Sequence, residues 1–353
     1  MIKIAHLIDD PSMGGVTVAL TNFNDPRLTK MGTSRTVEVD TAKRIAPSFD
    51  DDVIVIHFTV SWQKLPFLAG LRLRNLGKRI ILIEHSYTAG FEAWNVHNEQ
   101  RFHIMLRTAY ACVDDVIAVS QNQADWLSRI VKPSKVRAIA QSRNLKKFTD
   151  VKPIAMMPKG PIVFGAIGRF HKQKGFDDLI KAFRMPALDD ARLLIAGAGE
   201  DEKRLRELAQ GAHNIEFVGV ADAVTFYEKV HCVVVPSRWE AFGLVATEAM
   251  ATGRVVIANK VDGLREQVEG YGDLLDPGSV IKLSIAMVRI ANLKVSELNQ
   301  IGLSSKDAAL GRYDQMITSW FDCLFTSRSK RKPLRASSAA FRKAIPIITS
   351  PGQ

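Results

Sequence analysis

The stretch Cys232-Val-Val-Val235-Pro-Ser-Arg-Trp-Glu240-Ala-Phe-Gly-Leu-Val-Ala-Thr-Glu248-Ala-Met-Ala-Thr-Gly253 decides how this chain folds. Four β-favouring apolar residues without a polar break read as a parallel strand covered on both faces. Pro236 ends the strand, and an Ala-rich helix over 241–252 follows, closed by Gly253. The same strand–loop–helix order recurs on either side. Further strands are expected at 2–8, 35–39, 53–58, 80–84, 116–119, 162–167, 192–196, 215–218 and 255–258, and further helices at 121–131, 176–184 and 201–210. Alternation of this kind predicts α/β architecture with doubly wound parallel sheets. The Pro- and Gly-bearing segment Lys146–Gly160 reads as a linker. Two Rossmann-like domains facing across a cleft are therefore expected. Ligands should lie beyond the carboxyl ends of the strands. No repeat of fixed period is visible.

Length and composition agree. The 353 residues, 46% hydrophobic and 24% charged, suffice for two cores and exclude a disordered or fibrous chain. No apolar run reaches the roughly 18 residues that a spanning helix needs. The apolar run at 2–8 is short and meets Asp9 and Asp10, so it reads as an opening strand, not a signal peptide. Cys112, Cys232 and Cys323 lie far apart, which gives neither a zinc pattern nor a disulfide framework and fits a reducing, cytoplasmic setting. The net charge of +11 is uneven: residues 1–150 hold 20 Lys/Arg against 15 Asp/Glu, and no acidic residue follows Asp322. A basic first half and a basic tail could serve nucleic acid, anionic lipid or a phosphorylated substrate.

Glu240 and Glu248 stand eight residues apart. A fully helical span of that length rises about 12 Å, too long for a glycosidase pair about 5–9.5 Å apart. It suits two anchors at opposite ends of one extended ligand. After strand 162–167, Gly168-Arg169-Phe170-His171-Lys172-Gln173-Lys174-Gly175 places Arg169 and Lys174 near a helix N-terminus, a favourable place for an anion. Gly197-Ala-Gly199-Glu200-Asp201-Glu202 lacks the third glycine of a dinucleotide fingerprint, and its acids would repel a pyrophosphate. Ser120, three residues before Gln123, reads as a helix cap, and His57 as a satisfied structural histidine.

Taken together, Glu240-x7-Glu248 in its Trp-Glu-Ala-Phe-Gly context, Gly168-Arg169…Lys174-Gly175, Gly197-x-Gly199 and Gly14-Gly15 resemble a GT-B retaining glycosyltransferase of family 4. Val119-Ser120 and Gly263-Leu264-Arg265-Glu266 add to the resemblance, which covers most of residues 1–325. It implies a GT-B fold with a first, acceptor-side domain over 1–150 and a nucleotide-sugar domain over 151–307. A helix at 308–325 would cross back to the first domain, ahead of a basic tail at 326–353. Arg169 and Lys174 would clamp the donor diphosphate and stabilise the leaving group. Glu240 would hold the transferred sugar, Glu248 the ribose, and the backbone of Phe242, Gly243, Leu244 and Val245 would cap sugar or phosphate. Gly14 and Gly15 would admit the phosphates without a Cβ clash. His85 matches the family's first-domain active-site histidine. Glu240, His85, Arg169 and Lys174 are thus the expected catalytic set.

The expected reaction is metal-independent and cofactor-free, and moves a hexose from a nucleotide-sugar to a glycan or lipid-linked glycan in bacterial polysaccharide assembly. No nucleic-acid partner is expected, since no such signature is present and the middle of the chain is near neutral. A soluble acceptor is the alternative, ahead of a non-catalytic GT-B partner. Three departures from the family pattern stand out: Arg254 where a proline commonly follows Gly253, Arg143-Asn144-Leu145-Lys146-Lys147-Phe148 in place of Asn-Gly-Val-Asp, and a short first domain. The first is expected to matter little. Finally, Trp62–Arg79 mixes bulky apolar residues with Lys64, Arg72, Arg74, Lys78 and Arg79 and no acid. It reads either as a core-packed crossover helix with a basic end or as a patch for anionic membrane at the inner face.

Overall fold

The computed structural model describes residues 1–11, 14–43 and 45–326. The basic tail that begins near 326 lies, from Ser327 on, outside the described residues. Two six-stranded sheets carry the fold. The first holds β1 (Ile2–Ile8), β2 (Gly32–Glu38), β3 (Val53–Ile56), β4 (Arg79–Glu84), β5 (Asp115–Ala118) and β6 (Val136–Ala138) in the order β2-β1-β3-β4-β5-β6. The second holds β7 (Val163–Ile167), β8 (Arg192–Ala196), β9 (Ile215–Gly219), β10 (Cys232–Val235), β11 (Val255–Asn259) and β12 (Asp273–Leu275) in the order β12-β11-β10-β7-β8-β9. Every pairing is parallel. This is the GT-B architecture.

Burial follows from the sequence. Val53–Ile56 and Cys232–Val235 are buried at every position, as all-apolar parallel strands require. Asp115–Ala118 is buried throughout as well, its aspartate paired with Arg79. The order reverses between β1 and β3 in the first sheet and between β7 and β10 in the second. These are the switch points where a doubly wound sheet opens a crevice. Both second-domain motifs flank the second of them.

The chain joins the sheets twice. Leu145 and Phe148 are buried among Tyr227, Val233 and Met250, so the second core begins before the first strand of its sheet. The helix Arg312–Phe325 returns to the first sheet, where Met316, Ile317, Trp320 and Leu324 pack with Ile4, Phe23, Val55 and Ile81. Arg254 is fully buried and donates to the carbonyls of Tyr227, Thr252 and Lys152 at 2.7, 3.1 and 2.9 Å. It ties the connecting segment to the second domain, which corrects the expectation that it matters little.

The basic stretch at 62–79 takes the core-packed form. Helix Leu65–Arg74 buries Phe67, Leu68 and Leu71. Arg72 donates to Cys112 O and pairs with Asp114, while Arg79 pairs with Asp115 and donates to Cys323 O. Those two guanidiniums are internal ties, not a free patch. No helix among the described residues is long and apolar enough to cross a membrane.

Candidate active site

The loop after β7 and the loop after β10 are locked together by geometry. Gly175 has φ +65°, and a Cβ there would drive into the carbonyl oxygen of Pro236. Gly197 and Gly199 do similar work. A Cβ on either would strike the backbone of Gly168 or Phe170, so these glycines pack one loop on the other. The Gly197-x-Gly199 motif is thus architectural. Arg238 completes the join: its guanidinium bonds Asp177 and Asp178 at the start of helix Phe176–Phe183 and the Lys172 carbonyl at 2.6 Å.

On this frame the Lys174 ammonium pairs directly with the Glu240 carboxylate, which also accepts from Ser237 Oγ at 3.3 Å. Two of the three expected catalytic groups of the second domain are therefore one unit. Arg169 is exposed on the same loop and makes no hydrogen bond or ion pair with another described residue. Gly243, at φ +93°, begins the helix Leu244–Ala251. Its first amides have no acceptor within the helix, so the N-terminus at Leu244 and Val245 presents free donors and positive potential. Gln267 fixes the loop from behind by donating to the Phe242 carbonyl.

Glu248 sits one turn further along that helix and is buried. Arg143 donates to one of its oxygens at 2.5 Å and the Tyr227 hydroxyl to the other at 3.2 Å. Burial pushes its carboxyl above the ordinary range while Arg143 pulls it back. Arg143 thus belongs to the site, although sequence reading met it only as a departure from pattern.

The polar clasp of the first domain on the second is carried by the helix Asp262–Val268. Asp262 is the sole non-glycine with positive φ among the described residues, at 38°. Its carboxylate accepts from Thr88 Oγ at 2.8 Å and Gly90 N at 3.0 Å across the cleft, and from Glu240 N at 3.0 Å. Glu266, one turn on, accepts from Gln121 N and Asn122 N at the start of helix Gln121–Ile130. Burial raises the Glu266 carboxyl to about 7. Ser120 caps that same helix through Gln123 N, as its spacing predicted.

Of the first-domain candidates, Gly14 and Gly15 open the helix Gly14–Thr21, and a Cβ on either meets no atom of the described residues within 4 Å beyond its chain neighbours. Packing among the described residues does not demand glycine there. His85 follows β4 directly and touches His57, 3.4 Å away, not the Lys174–Glu240 pair. Ile83 and Val119, at neighbouring strand ends, share an apolar cluster with Ala241 and Phe242 of the second-domain loop. Among the described residues no group of three or more His, Cys, Asp or Glu side chains is placed to hold a metal.

Sequence reasoning missed Asp262, Thr88, Tyr227 and Arg238. Their partners lie far along the chain, so spacing carries no signal for them.

Solved structures with this fold include sucrose-phosphate synthase from Thermosynechococcus elongatus, with a TM-score of 0.75 and 21% identity over 92% of this chain and 98% of that one. Anabaena HepE in complex with UDP and glucose gives 0.68 and 17% over 92% and 99%. In sequence, a phosphatidyl-myo-inositol mannosyltransferase of Mycobacterium leprae is 29% identical over 65% of this chain and 64% of its own. A lipopolysaccharide core mannosyltransferase of Rhizobium meliloti is 29% identical over 60% and 66%. The chain spans between 27 and 66% of the length of the curated relatives it matches. Residues 148–300, which hold Arg169, Lys174, Glu240 and Glu248, match the family model of glycosyl transferases group 1.

Proposed function

We propose that the protein is a retaining, metal-independent glycosyltransferase that moves a hexose from a nucleotide-diphosphate sugar to a sugar hydroxyl. The observation that carries this reading is the Lys174–Glu240 pair, set at the second switch point beside the amino end of helix Leu244–Ala251. A diphosphate seated there meets one ammonium, the open Arg169 guanidinium and free helix amides. These are fixed donors for charge that grows on the leaving phosphate. Glu240, relieved of part of its ion pair by the phosphate, turns to the sugar hydroxyls, and Glu248 takes the ribose. The anomeric carbon–phosphate oxygen bond breaks and the carbon–acceptor oxygen bond forms on the same face. The acceptor's proton goes to the departing phosphate oxygen.

The acceptor we favour is a lipid-linked glycan of bacterial surface-polysaccharide assembly, reached at the inner face of the membrane. The two mannosyltransferase relatives named above support that choice by what they act on. A soluble acceptor is the second reading, favoured by the internal use of Arg72 and Arg79. Thermal unfolding in the presence of UDP- and GDP-sugars tests the donor. A cognate donor at 100 times its Kd stabilises by about 2.7 kcal/mol and is slowly hydrolysed. No shift and no hydrolysis with any nucleotide-sugar would refute the assignment.

A further inference from the structure

Three histidines line up across the first sheet, and only one belongs to the expected catalytic set. His6 lies in β1, His57 follows β3 and His85 follows β4, and these strands are neighbours. His6 Nδ1 stands 2.9 Å from His57 Nε2, and His57 Nδ1 stands 3.4 Å from His85 Nε2. The His57 and His85 rings are inclined by only 16° with centroids 5.6 Å apart. His6 and His57 are buried. Burial holds His6 down at about 3, His85 at about 4 and His57 well below the ordinary range, so all three are neutral near pH 7.

A neutral imidazole has one ring proton, so it donates from one nitrogen and accepts at the other. Three rings joined by two N–H···N contacts then have only two arrangements. Either every proton points toward His6, whose Nε2–H ends the row, or every proton points toward His85. In the second case His6 Nε2 is a bare lone pair and the last proton sits on His85 Nδ1. His6 Nε2 decides between them, because it is buried and has no hydrogen-bond partner among the described residues. A buried N–H without an acceptor is rarer than a buried acceptor without a donor. The row therefore runs from His6 to His85.

We propose that His57 and His6 are positioning residues that fix His85 as its Nδ1–H tautomer, so that His85 meets substrate as a hydrogen-bond donor and not as a base. The substrate half of this statement rests on the transferase reading given above. A donor suits a sugar hydroxyl oxygen or a developing oxyanion. It also leaves the acceptor's proton to the donor phosphate, in keeping with transfer on one face.

The test is a two-bond proton–nitrogen spectrum of the full chain labelled with 15N-histidine, which distinguishes Nδ1–H from Nε2–H rings. Wild-type His85 should show the Nδ1–H pattern and stay neutral down to pH 5. His57→Phe should move His85 toward Nε2–H and lower kcat at saturating donor about five- to ten-fold, the worth of one hydrogen bond, with donor KM little changed. His57→Gln, which can both accept from His6 and donate to His85, should recover the Nδ1–H signal and most of the turnover. An Nε2–H or protonated His85 in the wild-type protein overturns the proposal, and that result needs no variant to fold. An unchanged His85 tautomer in His57→Phe overturns it as well. A wild-type protein without turnover of UDP- or GDP-sugars defeats the transferase reading instead, while the spectrum still decides the row.

Discussion

Glu248 and Arg143 show at the level of single residues how the site is charged. A buried carboxylate survives because a guanidinium 2.5 Å away and a tyrosine hydroxyl satisfy it. Removing one partner of such a pair costs about 3–5 kcal/mol, since the other charge is left buried. Arg143→Met should therefore lower unfolding free energy by about that amount in urea titrations and raise the donor KM. Stability unchanged within 0.5 kcal/mol, by the roughly ±0.5 kcal/mol typical of surface changes, would mean that the pair is not formed. Arg254 offers a second residue-level test. Arg254→Met leaves the carbonyls of Tyr227, Thr252 and Lys152 without their donor. An unsatisfied buried group costs about 1–3 kcal/mol, so a loss of at least 2 kcal/mol is expected from calorimetric unfolding. Neither role was legible in sequence. Arg143 and Glu248 are 105 positions apart, and Arg254 and Lys152 are 102 apart. Local periodicity reports neither contact.

Among the elements, the short helix Asp262–Val268 carries the interdomain clasp. Asp262 and Glu266 are four residues apart, hence on one face. Each caps backbone amides of the first domain. Glu266 also faces Asp125, which raises its carboxyl further, and Arg312, which lowers it. Its folded value near 7 lies above the ordinary 4.5. A carboxyl raised on folding contributes stability that is full below the unfolded value and is lost as pH climbs through the folded one. Between pH 5 and pH 8 the wild type should lose ground to Glu266→Gln at up to roughly 1.4 kcal/mol per pH unit. Parallel stability curves for the two proteins over that window would contradict the buried clasp. The sequence showed Glu266 only as part of a Gly-Leu-Arg-Glu pattern. The strands, by contrast, were readable because a covered parallel strand must be apolar throughout. Val53–Ile56 and Cys232–Val235 fall where that rule put them. The short β6 and β12 escaped it, being three residues each and only half-buried.

For the whole molecule, the two-sheet plan and the placing of Arg169, Lys174, Glu240 and Glu248 around one switch point were legible, because each motif follows its own strand. The contacts by which the domains meet were not. That a helix at 308–325 returns to the first domain was expected from the family resemblance alone; the match of surfaces that seats Arg312–Phe325 on the first sheet has no signal in spacing. The membrane reading must also be recast at this scale. With Arg72 and Arg79 held internally, a variant that removes either of them would damage the fold. Arg74→Ser with Lys78→Ser is the cleaner variant. Flotation with vesicles of anionic lipid at low salt should show binding that this pair weakens, at about 1 kcal/mol per charge. A wild-type protein left unbound at low salt would point to the soluble acceptor.

Whether Lys174 and Glu240 form the working face of a nucleotide-sugar site is decided by the turnover of Lys174→Ala at saturating donor. Loss of one fixed donor to a developing charge costs about 100- to 1,000-fold in kcat, so a loss of at least about 100-fold is expected with the protein still folded. A Lys174→Ala enzyme that turns over its donor at near the wild-type rate would contradict that assignment.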